Sequence, residues 1–299
     1  MLGGRASIIN IHLKMISNNF MNDVTHYFLL PDKSRKKTID ICKPYENKFN
    51  FVPRESLTFN SKFPDSNYDT LLHKYCATDK FILLHDDTFI NSLQLRKDLD
   101  DLMKKYDFGG AVDNAAIGQI KTPYRNIYFD GMPFSEIRLG TWFLFGDYSL
   151  YKDSNYTLGD GGPQYPIVAN LKYRTRRISI KSLRVYIDGG FNFNINCRVD
   201  NRKIYTFKQS FGAEHFTRCT TFFVSRGLGK YIDSPEEVSI WENRLKKLSI
   251  DGNINQIKKD IYFMKKMASF LEMHDTYDAL LNIKTINRLE LLAPKYKGS

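Results

Sequence analysis

The sequence predicts an α/β fold, a mostly parallel sheet flanked by helices, followed by a C-terminal helical region. Three observations predict it. Apolar runs and helical-period segments alternate from residue 6 to about residue 113, the pattern that builds parallel sheets with helices on their faces. The run Phe81-Ile-Leu-Leu84 stops abruptly at His85-Asp86-Asp87, and four apolar residues between polar ones read as a buried strand of such a sheet. From Ser234 onward the apolar spacing becomes helical to about Leu292.

Taken in order, Ala6 to Ile11 reads as an opening strand and Leu13 to Met21 as a short helix. Thr25-His-Tyr-Phe-Leu-Leu30 is a second strand, closed by the turn Pro31-Asp32-Lys33-Ser34. Phe49-Asn-Phe-Val52 is a third, stopped by Pro53. Ser66-Asn-Tyr-Asp69 resembles a capping box, and the helix after it places Tyr68, Leu71, Leu72, Tyr75 and Cys76 on one face. That helix leads into the strand ending at His85. A further helix starts at Ser92, with Leu95, Leu99, Leu102, Met103 and Tyr106 at helical spacing.

The stretch from Phe108 to about Ser225 is different, being rich in Gly, Tyr, Phe and Asn with short apolar runs such as Thr141-Trp-Phe-Leu-Phe145 and Arg184-Val-Tyr-Ile187. It reads as mixed strands and long loops of the kind that shape a substrate pocket. Ser234-Pro235-Glu236-Glu237 combines an N-cap Ser, a Pro at the first helical position and a capping-box Glu. The expected organisation is an α/β domain over 1–230, divided into halves 1–113 and 114–230, and a helical region over 231–299.

A formal charge of +11 points to anionic partners, whether nucleotides, acidic membranes or nucleic acid. Cys42, Cys76, Cys197 and Cys219 lie far apart, without CxxC or zinc-ligand spacing, so they read as reduced thiols. No apolar run approaches the roughly 20 residues of a membrane span, and Asn10, His12 and Lys14 interrupt the only apolar stretch near the start. A cytoplasmic protein is expected. The stripe Ile257, Ile261, Met264, Met267, Ala268 and Leu271, with lysines beside it, reads either as a helix core face or as a peripheral membrane contact. Neither a Walker A sequence nor a GxGxxG fingerprint occurs.

Ligands of open α/β sheets bind beyond the carboxyl ends of the strands. Two carboxylates and an imidazole at such a point suit a divalent cation and, through it, a phosphate; the same residues also read as an Asp-rich turn. The order of strand, Asp-bearing turn, strand, helix and acidic-ended strand over residues 6 to about 113 resembles the nucleotide-binding half of a GT-A-fold glycosyltransferase of the family 2 type. The resemblance implies that Asp32, in Leu30-Pro-Asp-Lys-Ser34, contacts the nucleobase of a nucleotide-sugar donor. His85-Asp86-Asp87 stands where the family carries its DxD motif, with His in place of the first Asp. Asp87 is then the metal ligand, with Asp86 and His85 on the donor side. Tyr186-Ile-Asp-Gly-Gly190 resembles the segment in which inverting members place their catalytic Asp, here Asp188. Phe211-Gly-Ala-Glu-His-Phe216 resembles a late loop whose His, here His215, meets the metal or the diphosphate.

What this implies is an inverting glycosyltransferase that moves a sugar from a nucleotide-diphosphate donor to a glycan or lipid-linked saccharide. Mn²⁺ or Mg²⁺ would neutralise the departing diphosphate, Asp188 would take the acceptor proton, and Arg218 or Arg226 would add positive charge. Trp142, among Phe143, Leu144 and Phe145, reads as core packing before it reads as a sugar platform. The competing reading is a non-enzymatic, basic nucleic-acid-binding protein. It draws on the net charge and on aromatics interleaved with basic residues at 173–177 and 202–208. No recognised nucleic-acid module supports it, and an acidic strand end repels phosphate.

Overall fold

The computed structural model describes residues 4–19, 24–31, 35–53, 67–112, 118–121, 126–129, 139–154, 156–158, 184–187, 190–207, 211–216, 222–223 and 226–292. The chain begins with α1 (Ala6–Asn19), β1 (Tyr27–Leu29), α2 (Lys36–Cys42) and β2 (Asn50–Val52). There follow α3 (Asn67–Tyr75), β3 (Lys80–Leu84), β4 (Thr88–Ile90), α4 (Leu93–Lys105) and β5 (Phe108–Val112). The middle holds β6 (Gly118–Lys121), β7 (Asn126–Phe129), β8 (Leu139–Asp147), α5 (Tyr148–Asp153) and β9 (Arg184–Ile187). Next come α6 (Phe191–Val199), β10 (Ile204–Phe207) and β11 (Ala213–His215), and the helices α7 (Glu237–Ile250), α8 (Ile254–Met273) and α9 (Ile283–Leu292) close the described chain.

Two compact units result, one of Met1–Val52 with His215–Ser299 and one of Pro53–Glu214. This division differs from the expected boundary at 230/231, because the first 52 residues group with the C-terminal helices.

In the discontinuous unit the first expectation is overturned. Ala6 to Ile11 is helix, part of α1, and not an opening strand. A short apolar run cannot distinguish strand from buried helix by itself; here the pattern continues through Leu13 and Ile16, both buried, over fourteen residues. The second and third expected strands do form. They pair in parallel as β1 and β2, with Phe28 opposite Phe51 and Leu29 opposite Val52, and Phe28, Phe49 and Phe51 pack their rings within 5.0–6.3 Å of one another.

The stripe Ile257, Ile261, Met264, Met267, Ala268 and Leu271 of α8 is buried, and α8 packs with α7 and α9. That face is core, so it is not the membrane contact that the sequence allowed. Among the described residues no helix is long and apolar enough to cross a membrane.

The start of α7 also departs from expectation. The helix begins at Glu237, and the buried Ser234 hydroxyl makes no hydrogen bond among the described residues. Glu237 instead reaches back to accept from the Asp233 N–H at 3.1 Å and from Arg5 Nη1 at 2.5 Å. Arg5 is buried and also donates from Nε (3.0 Å) and Nη2 (2.6 Å) to the two oxygens of Asp278, to which the Ser7 hydroxyl adds a bond of 2.7 Å. Burial pushes the Asp278 carboxyl up, but Arg5 outweighs it and holds the group below the usual range; at Glu237 burial prevails and the carboxyl is raised. This two-pronged, buried ion pair joins the N-terminal helix to the C-terminal region.

The second unit carries the α/β alternation, and its sheet is mixed. The described order is β10-β5-β8-β3, with β10 parallel to β5 and β8 antiparallel to both its neighbours. The expectation of a mostly parallel sheet fails because β8 runs between β5 and β3. A separate antiparallel sheet has the order β7-β6-β9. The helix expected after Ser66 forms as α3, and Leu72 joins Phe81, Phe108, Leu144, Tyr151 and Phe193 in the core. The expected capping partner of Asp69, Ser66, lies outside the described residues. Asp69 is buried and accepts from Tyr151 Oη, from Thr157 Oγ1 at 3.0 Å and from the Leu158 N–H at 2.9 Å. Ser92 caps α4 as expected, accepting from the Gln94 and Leu95 N–H groups.

The β3–β8 ladder is pinned at the end where β3 begins. Lys80 lies opposite Asp147 in register and donates to it at 2.7 Å, while Asp147 also caps α5 through the Leu150 N–H. Burial pushes the Asp147 carboxyl up, but Lys80, Ser149 and the Leu150 amide outweigh it and bring it down to about 2.

Two outcomes follow from these ion pairs. Arg5→Ala strands two buried carboxylates and should cost roughly 3–5 kcal/mol of stability in urea unfolding. A pKa lowered in the folded state contributes stability that is present above the unfolded value and lost as pH falls through the folded one. Asp147 should therefore account for a loss of about 1 kcal/mol, discounted for its partial exposure, between roughly pH 4 and pH 2. Thermal unfolding across that range should show a shallower acid limb in Asp147→Asn.

Candidate functional site

The site starts from the end of the ladder. β3 stays in register with β8 to Leu84 opposite Phe143, and one step further the His85 N–H donates to the Trp142 carbonyl at 3.1 Å. The chain then turns. The Thr88 N–H donates to the His85 carbonyl at 3.2 Å, which makes His85-Asp86-Asp87-Thr88 a four-residue turn with both carboxylates at its central positions. Asp and Asn favour such positions because their side chains tolerate and support turn backbones. The Asp-rich turn and the candidate ligand cluster are thus one feature. Thr88 ties the turn down with a 2.9 Å bond from its hydroxyl to the same Trp142 carbonyl, and Asp86 and Asp87 are both buried.

β4 emerges from this turn and pairs with β11. The Asn91 N–H, just past β4, donates to the carbonyl of Gly212, just before β11, at 2.7 Å. The start of β11 therefore meets the end of β4, which leaves His215 at the other end of the pair, beside Asp87. His215 is the last residue of β11.

The result is a group of three, His85, Asp87 and His215, whose ligand atoms all lie within 4.8 Å of one another. Donors sharing one first-row cation at bonds of about 2.0–2.2 Å sit roughly 3–4 Å apart. The group is thus within about 1 Å of metal-binding geometry. Two imidazoles and one carboxylate suit a borderline transition metal such as Co²⁺ or Zn²⁺ best; of the harder ions, Mn²⁺ accepts imidazole more readily than Mg²⁺, which prefers oxygen donors.

Two further side chains meet His85. The ring of Tyr68, on α3, stacks on its imidazole at 5.7 Å and 9°, and the Thr141 hydroxyl of β8 lies 3.4 Å from its Nε2. Burial, and then the charges of Asp86 and Asp87, push the Tyr68 phenol up. Trp142 on β8 and Phe211, two residues before β11, are both half-buried and bring their rings to 6.2 Å of each other.

The structure thus brings Asp87 and His215 together and adds His85 to them. Asp86 occupies the same turn but is not a member of the group. Asp32 and Asp188 lie outside the described residues, as do Arg218 and the basic run 172–177. Arg226 is committed elsewhere, donating from Nε (2.7 Å) and Nη2 (2.5 Å) to buried Asp260 and lying over the Phe222 ring. Sequence reasoning gave Tyr68 only as part of an apolar helix face and Thr141 only as part of an apolar run. Tyr68 and Tyr75 both put a phenol on that face, so nothing local singled out Tyr68.

No protein-family model matches this chain, and a search of curated proteins found no similar sequence.

Gly212 makes the β4–β11 pairing possible. Its φ is +99°, and a Cβ there would stand 2.6 Å from Ser92 Cβ, so Ala would meet both left-handed strain and a collision. Gly212→Ala should cost roughly 1–3 kcal/mol by urea unfolding. It should also move His215 away from Asp87, seen as metal affinity in calorimetry falling at least tenfold.

Proposed function

We propose that the chain is a metal-assisted glycosyltransferase acting on a nucleotide-diphosphate sugar. The observation that carries this reading is the meeting of Asp87 and His215, two positions that the resemblance to family 2 enzymes singles out separately as metal ligands and that lie far apart in sequence. His85, where that family has the first Asp of its motif, completes the donor set. With two imidazoles present, Mn²⁺ is the better fit of the two ions expected.

The bound cation would supply Lewis-acid stabilisation for a leaving diphosphate. The chain's own residues do the rest. Asp87, His85 and His215 hold the cation at the end of β3, and the turn fixes the two buried carboxylates ahead of any ligand, so little reorganisation is needed as charge develops. Asp32 is assigned to the nucleobase and Asp188 to the proton of the acceptor hydroxyl, both from the resemblance. The half-buried Trp142 and Phe211 offer apolar ring faces of the kind that suit a sugar. The acceptor class proposed is a glycan or lipid-linked saccharide.

The test is titration calorimetry with a panel of nucleotide-sugars and free nucleotides, with and without Mn²⁺. The expected result is metal-dependent binding of one donor, reduced at least 100-fold by Asp87→Ala, with Mg²⁺ a poorer substitute for Mn²⁺. Salt-sensitive binding of an oligonucleotide with no donor binding would return the chain to the nucleic-acid reading.

A further inference from the structure

We infer that Tyr68 and Thr141 are positioning residues that hold the His85 imidazole from its face and its edge, so that it presents Nδ1 to a cation shared with Asp87 and His215. This rests on the metal reading of the site proposed above.

A histidine at the end of a strand has two side-chain torsions free to wander, and a loose imidazole loses entropy when it binds a cation. Metal-ligating histidines are ordinarily held through their second nitrogen by a hydrogen-bond partner, which fixes both tautomer and ring plane. Here the ring is held twice. Tyr68 lies nearly parallel to it, 9° between planes at a centroid distance of 5.7 Å, an offset stack. Tyr68 is itself placed by α3, whose next turn inserts Leu72 into the core and whose Asp69 is bonded to Thr157 and Leu158. The stacking surface is therefore part of the rigid framework and not a surface side chain.

The edge contact is equally determined. Thr141 Oγ1 lies 3.4 Å from His85 Nε2. Thr is branched at Cβ, so placing its methyl fixes its hydroxyl. The methyl is placed by Gly190, where a Cβ would come within 3.0 Å of Thr141 Cγ2. Gly190 has a φ of +81° and caps the start of α6. The glycine leaves room for the methyl on one side, and the hydroxyl faces the imidazole on the other. A hydroxyl accepting from Nε2–H selects the tautomer whose Nδ1 lone pair is available to a cation, which is the tautomer a metal ligand needs.

The ring stack should tolerate loss of the phenol oxygen but not of the ring, and the edge contact should need a hydroxyl but not a methyl. Tyr68→Phe and Thr141→Ser should bind Mn²⁺ or Zn²⁺ within about twofold of the unaltered protein, while Tyr68→Leu and Thr141→Val should each weaken binding by roughly 10- to 100-fold. Leu289→Ala, on the buried face of α9, serves as the structural control: it should lower the melting temperature while leaving metal affinity unchanged. The readouts are calorimetry with the metal alone, thermal unfolding, and ¹H–¹⁵N correlation of the histidine rings in Zn²⁺-loaded protein. That correlation should show the His85 proton on Nε2.

Unchanged affinity in Tyr68→Leu, beside loss of binding in Asp87→Ala, would leave the metal site standing and overturn the positioning role. A proton on Nδ1, or tighter binding in Thr141→Val, would show that Nε2 is the ligating atom and overturn the Thr141 assignment. Absence of binding by the unaltered protein removes the metal reading, and this inference with it.

Discussion

Antiparallel pairing of β3 with β8 governs everything at the site, because it decides where the apolar strand stops being strand. The ladder runs from Lys80 opposite Asp147 to Leu84 opposite Phe143, and its last backbone bond goes from His85 to Trp142. A slip of one residue would exchange the two faces of β3, sending Phe81 out of the core and moving the turn by one step. The Lys80–Asp147 pair at one end and the Thr88 hydroxyl at the other fix that register. One carbonyl, that of Trp142, accepts from both the His85 amide and the Thr88 hydroxyl, so two bonds from the turn converge on one atom of the sheet.

The parts of this arrangement that were legible in the sequence are those encoded locally. Phe81 to Leu84 announces a strand by its apolar run, Ser92 announces a helix by its side chain, and two Asp in succession announce a turn. The parts that were not legible depend on partners distant in the chain. Nothing in Thr141-Trp-Phe-Leu-Phe145 says that it will run against β3, yet that insertion makes the sheet mixed. Ala6 to Ile11 carries three isoleucines, residues that favour strands in isolation, but burial on nearly all sides of α1 overrides local preference. Ser234 and Pro235 spell a helix start that tertiary structure moves to Glu237, because the Glu237 carboxylate is drawn to Arg5.

The candidate site divides the same way. His85, Asp86 and Asp87 adjoin in sequence and could be read together. His215 was reached only through a resemblance, and its meeting with Asp87 depends on a glycine, Gly212, whose positive φ lets β11 come down against β4. Tyr68 and Thr141 sit on separate elements, and only the packing of α3 and β8 brings both to one imidazole.

The N-terminal segment and the C-terminal helices form one unit, with the segment Pro53–Glu214 inserted between them. During synthesis the inserted unit has all its residues before its host does. Arg5 and Asp278, which bond in the folded host unit, lie 273 positions apart in the chain. α1 can pack early against α2, but the Arg5 guanidinium has no carboxylate of Asp278 or Glu237 to meet until the C-terminal helices are made. The inserted unit can therefore fold before its host is able to close, and the host waits on its own C-terminal helices.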